Sequence, residues 1–300
     1  MELSGQASGI AKQLMSGEGE PLQSIKQRLQ LSLSQLGLYH RLKASSLYSL
    51  YWSLADRTVI EDVTRELDFY KRTLVGFRSG DLIFDIGANQ GYKTGIFLRL
   101  GAKVVAVDPD EANTAILEEK FLRYRLRAKP LVVVTQAVSD KCAVETMWME
   151  GPGSAKNTLS RKWVDTLTLD DKRFGHVLHF GQRTEVTTTT LEKLFITYGM
   201  PLFVKIDVEG LEVNVIRGMQ RPVPYLSFEV NLPEFRAEGL ECVKLLAAIA
   251  KDGKFNYAVD CRQGLALRDW LGARDFSGVL ARCADDCVEV FWKTPFPSDR

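Results

Sequence analysis

The chain has 300 residues, 45% of them hydrophobic, enough for one large domain with a substantial core or for a domain with an appendage. Its 39 Lys and Arg against 38 Asp and Glu leave a net charge of +1, so no overall field draws it to nucleic acid or to an anionic membrane. No uncharged apolar run approaches the length of a membrane span.

Met1 to Glu20 has no basic segment followed by an apolar core, so it does not read as a secretory signal. Five cysteines, Cys142, Cys242, Cys261, Cys283 and Cys287, form no C-x-x-C pair and have no neighbours that complete a metal set. That usage fits reduced thiols and a cytoplasmic location. The small, polar residues up to about 25 are expected to be poorly ordered. Leu29 to Leu54 is dense in leucine and tyrosine and predicts one or two helices. Such a segment packs on a core, makes a homodimer contact or lies on a membrane surface. Residues 1–58 are therefore expected to form a partly disordered helical extension, and 59–300 the main domain.

Val59, Val63, Leu67, Tyr70 and Leu74 recur at helical spacing. The pattern then changes. Leu82 to Ile86 is a short apolar run closed by Gly87, a buried strand. Tyr92 to Leu100 suits a helix, Val104 to Val107 a strand, Glu111 to Leu126 a helix and Leu131 to Val134 a strand. That alternation means a parallel sheet covered on both faces. An irregular polar insertion, about 150–185, contains His176 and His179. Helices over Leu191–Tyr198, Leu211–Met219 and Leu240–Lys251 then alternate with strands over Leu202–Ile206, Tyr225–Val230 and Phe255–Val259. Val288 to Trp292 is a last strand.

Asp85 to Gly91 reads D-I-G-A-N-Q-G between a strand and a helix. Glycines at 87 and 91 let the backbone turn and lie close to a ligand. A dinucleotide loop needs a glycine at 89, where this chain has asparagine, and a P-loop needs a Gly-Lys-Ser/Thr ending. The D-x-G-x-x-x-G form resembles the first motif of Rossmann-like methyltransferases, where the acid and the loop backbone meet the amino-acid part of S-adenosylmethionine. Asp108 closes the next strand, where an acidic side chain can accept both ribose hydroxyls. Gln136 to Asp140, Q-A-V-S-D, follows the third strand, and Ala137 and Ser139 would flank the adenine.

Phe203 to Gly218 reads F-V-K-I-D-V-E-G-L-E-V-N-V-I-R-G. With Gly80 to Gly91, G-D-L-I-F-D-I-G-A-N-Q-G, it resembles the FkbM family of methyltransferases over about Val75 to Pro295. Asp108 stands where many members have glutamate, and the insertion is hard to match. The resemblance implies an α/β Rossmann-like class I methyltransferase fold: a seven-stranded, mostly parallel sheet with its last strand antiparallel and helices on both faces. It also implies S-adenosylmethionine as cofactor, held by Asp85, Gly87, Ala88, Asn89, Gly91, Asp108, Ala137, Ser139 and Asp207. Further, it implies O-methylation of a hydroxyl on a sugar, glycolipid or natural product.

A hydroxyl is a poor nucleophile until its proton is taken. Asp207, Glu209 and Glu229 lie at the C-terminal ends of the fourth and fifth strands, and Lys205 shares a face with Asp207 by period two. These acids read as a base with Lys205 tuning the charge, as ligands for a divalent metal that lowers the hydroxyl pKa, or, for Glu209-Gly210, as a helix cap. A dedicated metal site is not expected. His176 or His179 could also serve as a base. Rival functions are a nicotinamide-dependent oxidoreductase and a non-catalytic cofactor-binding module. The expected partner is a small-molecule or glycan acceptor, not nucleic acid.

Overall fold

The computed structural model describes residues 57–127, 130–169 and 178–295. The first part of the chain alternates α1 (Arg57–Thr73), β1 (Leu82–Ile86), α2 (Tyr92–Leu100), β2 (Lys103–Val107), α3 (Glu111–Lys120), α4 (Leu122–Arg127) and β3 (Leu131–Val134). The middle holds β4 (Ala137–Val138), β5 (Val144–Met149), α5 (Arg161–Leu169) and β6 (Gln182–Thr189). The last part holds α6 (Leu191–Tyr198), β7 (Phe203–Ile206), α7 (Glu212–Arg217), β8 (Tyr225–Asn231), α8 (Arg236–Ile249) and β9 (Lys254–Ala258). It ends with β10 (Leu271–Gly272), α9 (Ala273–Arg282) and β11 (Cys287–Lys293).

The main sheet has the order β10-β9-β11-β8-β7-β1-β2-β3. Strands β3, β2, β1, β7 and β8 pair in parallel, and β11 is antiparallel to both β8 and β9. The chain runs outward from β1 to β3 and then crosses back to β7 on the other side of β1. The carboxyl ends of β1 and β7 therefore part at the topological switch point, where open α/β sheets bind ligands. Period-two alternation sends successive side chains to opposite faces. Phe84, Ile86, Val105 and Val107 join one buried cluster with Leu194, Val215, Val243 and Phe276 from helices α6 to α9. Ile83, Val104 and Ala106 join the other, with Phe69, Tyr70, Ile96 and Phe97 from α1 and α2. The expected α/β fold is present with its reversed last strand.

Several elements depart from the expected order. The two-residue β10 adds an eighth strand at the sheet edge. The helix expected over Glu111 to Leu126 is two helices. They break at Phe121, whose ring turns in to lie against Gly91 and Gly95. The Q-A-V-S-D segment is not only a loop: Ala137 and Val138 form β4, in a second sheet of order β4-β6-β5. The insertion is not irregular throughout, because Trp163, Val164 and Leu167 bury one face of α5 and Gln182 and Arg183 begin β6. Helix α9, to which no element was assigned, buries Phe276 and Leu280. No helix among the described residues is long and apolar enough to cross a membrane. The expectations for residues 1–56, including the 29–54 contact segment, lie outside the described residues, as does His176.

Candidate active site

The loop after β1 turns beneath the end of β7. Gly87 has φ 78°, and a Cβ there would come within 1.7 Å of the Asp207 carbonyl oxygen. Only glycine fits both the left-handed backbone and the close approach. Gly87 and Ala88 donate their N–H groups to the Val107 carbonyl at 2.9 and 3.0 Å, which ties the loop to the end of β2. Asp85 is 1% exposed, lies opposite Lys205 in the β1–β7 register and accepts a 2.6 Å hydrogen bond from Thr94 Oγ1. Burial raises its pKa, while Lys205 and the Thr94 bond pull it down. Asp85 therefore braces the loop from below and does not line the cavity above it.

That cavity opens between the ends of β1, β2 and β7. Asn89, Asp108 and Asn113 stand on one side and Asp207 and Glu209 on the other, with Val107, Val138, Met147 and Leu159 among its apolar walls. Asp108 accepts from Asn89 N at 2.8 Å, Asp110 N at 3.0 Å and Asn113 Nδ2 at 3.1 Å. Burial pushes it up to about 6 against those three bonds. The Oδ1 atoms of Asn89 and Asn113 are buried and meet no donor. Buried acceptors are normally paired, so these two call for donors from a ligand. Ribose hydroxyls and an adenine amino group are such donors, and the apolar walls suit the base. The residues present thus fit an adenosyl group.

At the other end of the cavity, Lys205, 3% exposed, donates from Nζ to Asp207 Oδ2 at 2.7 Å. Burial works against the Lys205 ammonium, but Asp207, Glu289 and Asp85 outweigh it and leave its pKa raised. The turn after Asp207 is left-handed at Glu209, φ 54°, a conformation rare for a residue with a side chain. Glu212 clamps this turn by accepting from Val208 N and Gly210 N, both at 3.3 Å. Glu209 itself does not cap α7, whose N-cap Leu211 has no side-chain bond. Burial, then the charge of Asp207, pushes Glu209 well above the usual carboxylate range and Glu229 up to about 7. Burial likewise pushes Glu212 up to about 7.

Of the expected site residues, Gly87, Asn89, Asp108, Ala137, Asp207 and Glu209 line the cavity together. Ala88 and Gly91 belong to the loop behind it. Glu229 lies deeper, in a small hollow with Glu212, Phe235 and Glu238. Ser139 is 1% exposed and donates to Asp140, so its side chain is sealed away from the cavity. His179 is exposed and stands outside the cavity lining. Among the described residues no three His, Cys, Asp or Glu side chains are grouped as a metal site.

Further residues belong to the site without having been expected there, Glu212 among them. Asp110 accepts from Gly153 N at 2.7 Å and from Asn157 Nδ2 at 2.8 Å, and Thr158 Oγ1 donates to the Glu209 carbonyl at 2.8 Å. Asn113 holds Asp108. Only Asp110 had a local signal: it precedes a helix as its N-cap and accepts from Ala112 N at 2.9 Å.

The model of the methyltransferase FkbM domain matches residues 85–276, more than half of the chain. No curated protein matches. Among solved structures, one similar to the chain is a TehB-like SAM-dependent methyltransferase from Corynebacterium glutamicum, with TM-score 0.41 and 9% identity, covering 84% of this chain and 100% of that one. Another is a precorrin-6Y C5,15-methyltransferase from Geobacter metallireducens, with TM-score 0.40 and 8% identity over 78% of this chain and 89% of that one. A third is a plantazolicin methyltransferase solved with SAH, with TM-score 0.38 and 11% identity over 91% and 96%. On the strength of the family match, the chain belongs to the FkbM family of S-adenosylmethionine-dependent methyltransferases.

Proposed function

We propose that the chain transfers the methyl group of S-adenosylmethionine to a hydroxyl oxygen on a sugar, glycolipid or natural product. The observation that carries this reading is the placing of Asp207 and Glu209 in the cavity beside the cofactor loop, with Glu229 in the hollow behind them and close enough for its charge to raise the pKa of Glu209. When bound, the cofactor supplies an electrophilic methyl group on a sulfonium. The protein must then hold that group, align the acceptor oxygen behind it and take up a proton.

In this reading Asp108 holds the ribose, with Asn89 and Asn113 supplying further acceptors, while Ala137 flanks the base. Gly87 and Asp207 face the amino-acid end. Glu209 and Glu229 act as a pair in receiving the acceptor proton. Burial, then the charge of Asp207, raises both, Glu229 adds to the rise at Glu209, and Glu229 is pushed up to about 7. A base poised near neutrality is what hydroxyl activation asks for. Lys205 supplies the counter-charge to Asp207 at 2.7 Å, which limits the negative charge packed beside the pair.

The test is incubation with methyl-tritiated S-adenosylmethionine and a panel of free sugars, nucleotide sugars, glycolipids and RNA. The reading expects label in a new methyl ether, identified by its NMR shift. Label on nitrogen or carbon alone, or on RNA alone, contradicts it.

A further inference from the structure

We infer that Thr158 is a positioning residue for Glu209, and that the strap carrying it ties that position to the adenosine end of the cavity. The inference rests on the roles given above to Glu209 and to the cavity.

The strap is the segment from Gly151 to Ser160. It is pinned beside Asp108 at Gly153 and Asn157. Asp110 Oδ2 accepts from Gly153 N at 2.7 Å and from Asn157 Nδ2 at 2.8 Å, and Gln90 Nε2 donates to the Gly153 carbonyl at 2.9 Å. Its second half meets the catalytic turn. Thr158 is 1% exposed, donates from Oγ1 to the Glu209 carbonyl at 2.8 Å and accepts from Ser160 N at 2.8 Å. Its own backbone is paired to Trp148 in both directions. Between the two anchors Ser154 and Ala155 line the cavity, and so does Leu159 just past the second, so a nucleoside seated there lies against the strap.

Glu209 needs such support because its left-handed backbone, φ 54°, does not hold itself. Glu212 bonds the amides on either side of it, and Thr158 bonds its carbonyl from the strap. The strap also packs directly on the turn: a Cβ at Gly210 would come within 3.0 Å of Ser160 Oγ. A shift of the strap is therefore a shift of Glu209. Ligand binding at the adenosine end, by ordering the strap, would order the catalytic turn as well.

Hydrogen exchange on the full chain, with and without S-adenosylhomocysteine, tests this without a methyl acceptor. In the wild type the ligand is expected to slow amide exchange about ten-fold in both 151–160 and 207–212. Thr158→Val should keep the slowing in 151–160 and reduce it in 207–212 to what direct contact with the ligand gives, and Thr158→Ser, which retains the hydroxyl, should restore it in full. Asp110→Asn, cutting the strap at its other anchor, should lose it in both. Unchanged exchange in 207–212 of the liganded wild type would overturn the inference, and so would full slowing there in Thr158→Val. Calorimetric absence of S-adenosylhomocysteine binding to the wild type would instead sink the cofactor reading. Full methyl transfer by Glu209→Gln would overturn the base assignment and leave the exchange result standing.

Discussion

The backbone at Gly87 leaves no room for a side chain. A Cβ 1.7 Å from the Asp207 carbonyl oxygen would force β1 and β7 apart where the cofactor loop and the acids meet. Gly87→Ala is expected to cost about 3 kcal/mol or more, through the clash and the positive φ together. Gly181→Ala, with open space around it, should cost almost nothing. Urea denaturation of both variants checks the contrast, and equal stabilities would contradict it. The loop glycines and Asp108 were legible because their spacing on a strand–turn–helix unit is local. Thr158 was not, because its partner lies 51 residues away along the chain, and Asp110 shows locally only as a helix cap, its partner in the strap lying 43 residues away. Glu212 was equally hidden, since its part in the turn is visible only once Val208 and Gly210 point their N–H groups at it.

Two adjacent strand ends, β7 and β8, place the acids together, and the catalytic prediction belongs to these elements. Glu209→Gln and Glu229→Gln should each lower the methyl-transfer rate constant about 10²–10⁴-fold and leave S-adenosylhomocysteine affinity within a few-fold. In the wild type the rate should rise as the pH passes through about 7, since the base must first lose its proton. A flat pH–rate profile together with active glutamine variants would contradict the assignment. Strands of the main sheet were legible as short apolar runs because both of their faces are buried. Strands β5 and β6 were not. Most of their residues are exposed or half-buried, and the threonine-rich β6 lacks an apolar run, although β-branched residues favour a strand. Helix α5 was missed for a similar reason: three buried residues on one face of nine leave a polar composition.

For the molecule as a whole, burial of carboxyl groups sets an unusual pH dependence. Asp108 is pushed up to about 6, and Glu212 and Glu229 up to about 7. Their unfolded counterparts titrate near 4. Between about 4 and 7 the folded chain therefore binds more protons than the unfolded one, and stability falls as pH rises through that window. The slope approaches about 1.4 kcal/mol per pH unit for each fully buried group and is smaller for the partly exposed Glu229. Glu289 and Asp260, with lowered pKa values, act below this window. The urea midpoint should decline from pH 5 to pH 8, and a midpoint that climbs across that range would contradict the account.

The reading of the whole site rests on an S-adenosyl cofactor held by the loop from Asp85 to Gly91 with Asp108. Isothermal titration with S-adenosylmethionine, S-adenosylhomocysteine and the nicotinamide dinucleotides, repeated on Asp108→Ala, tests it most directly. Both S-adenosyl compounds should bind, about 10–100-fold more weakly in the variant through loss of a charged hydrogen-bond acceptor. Binding of a dinucleotide alone, or of no compound in the set, would rule that out.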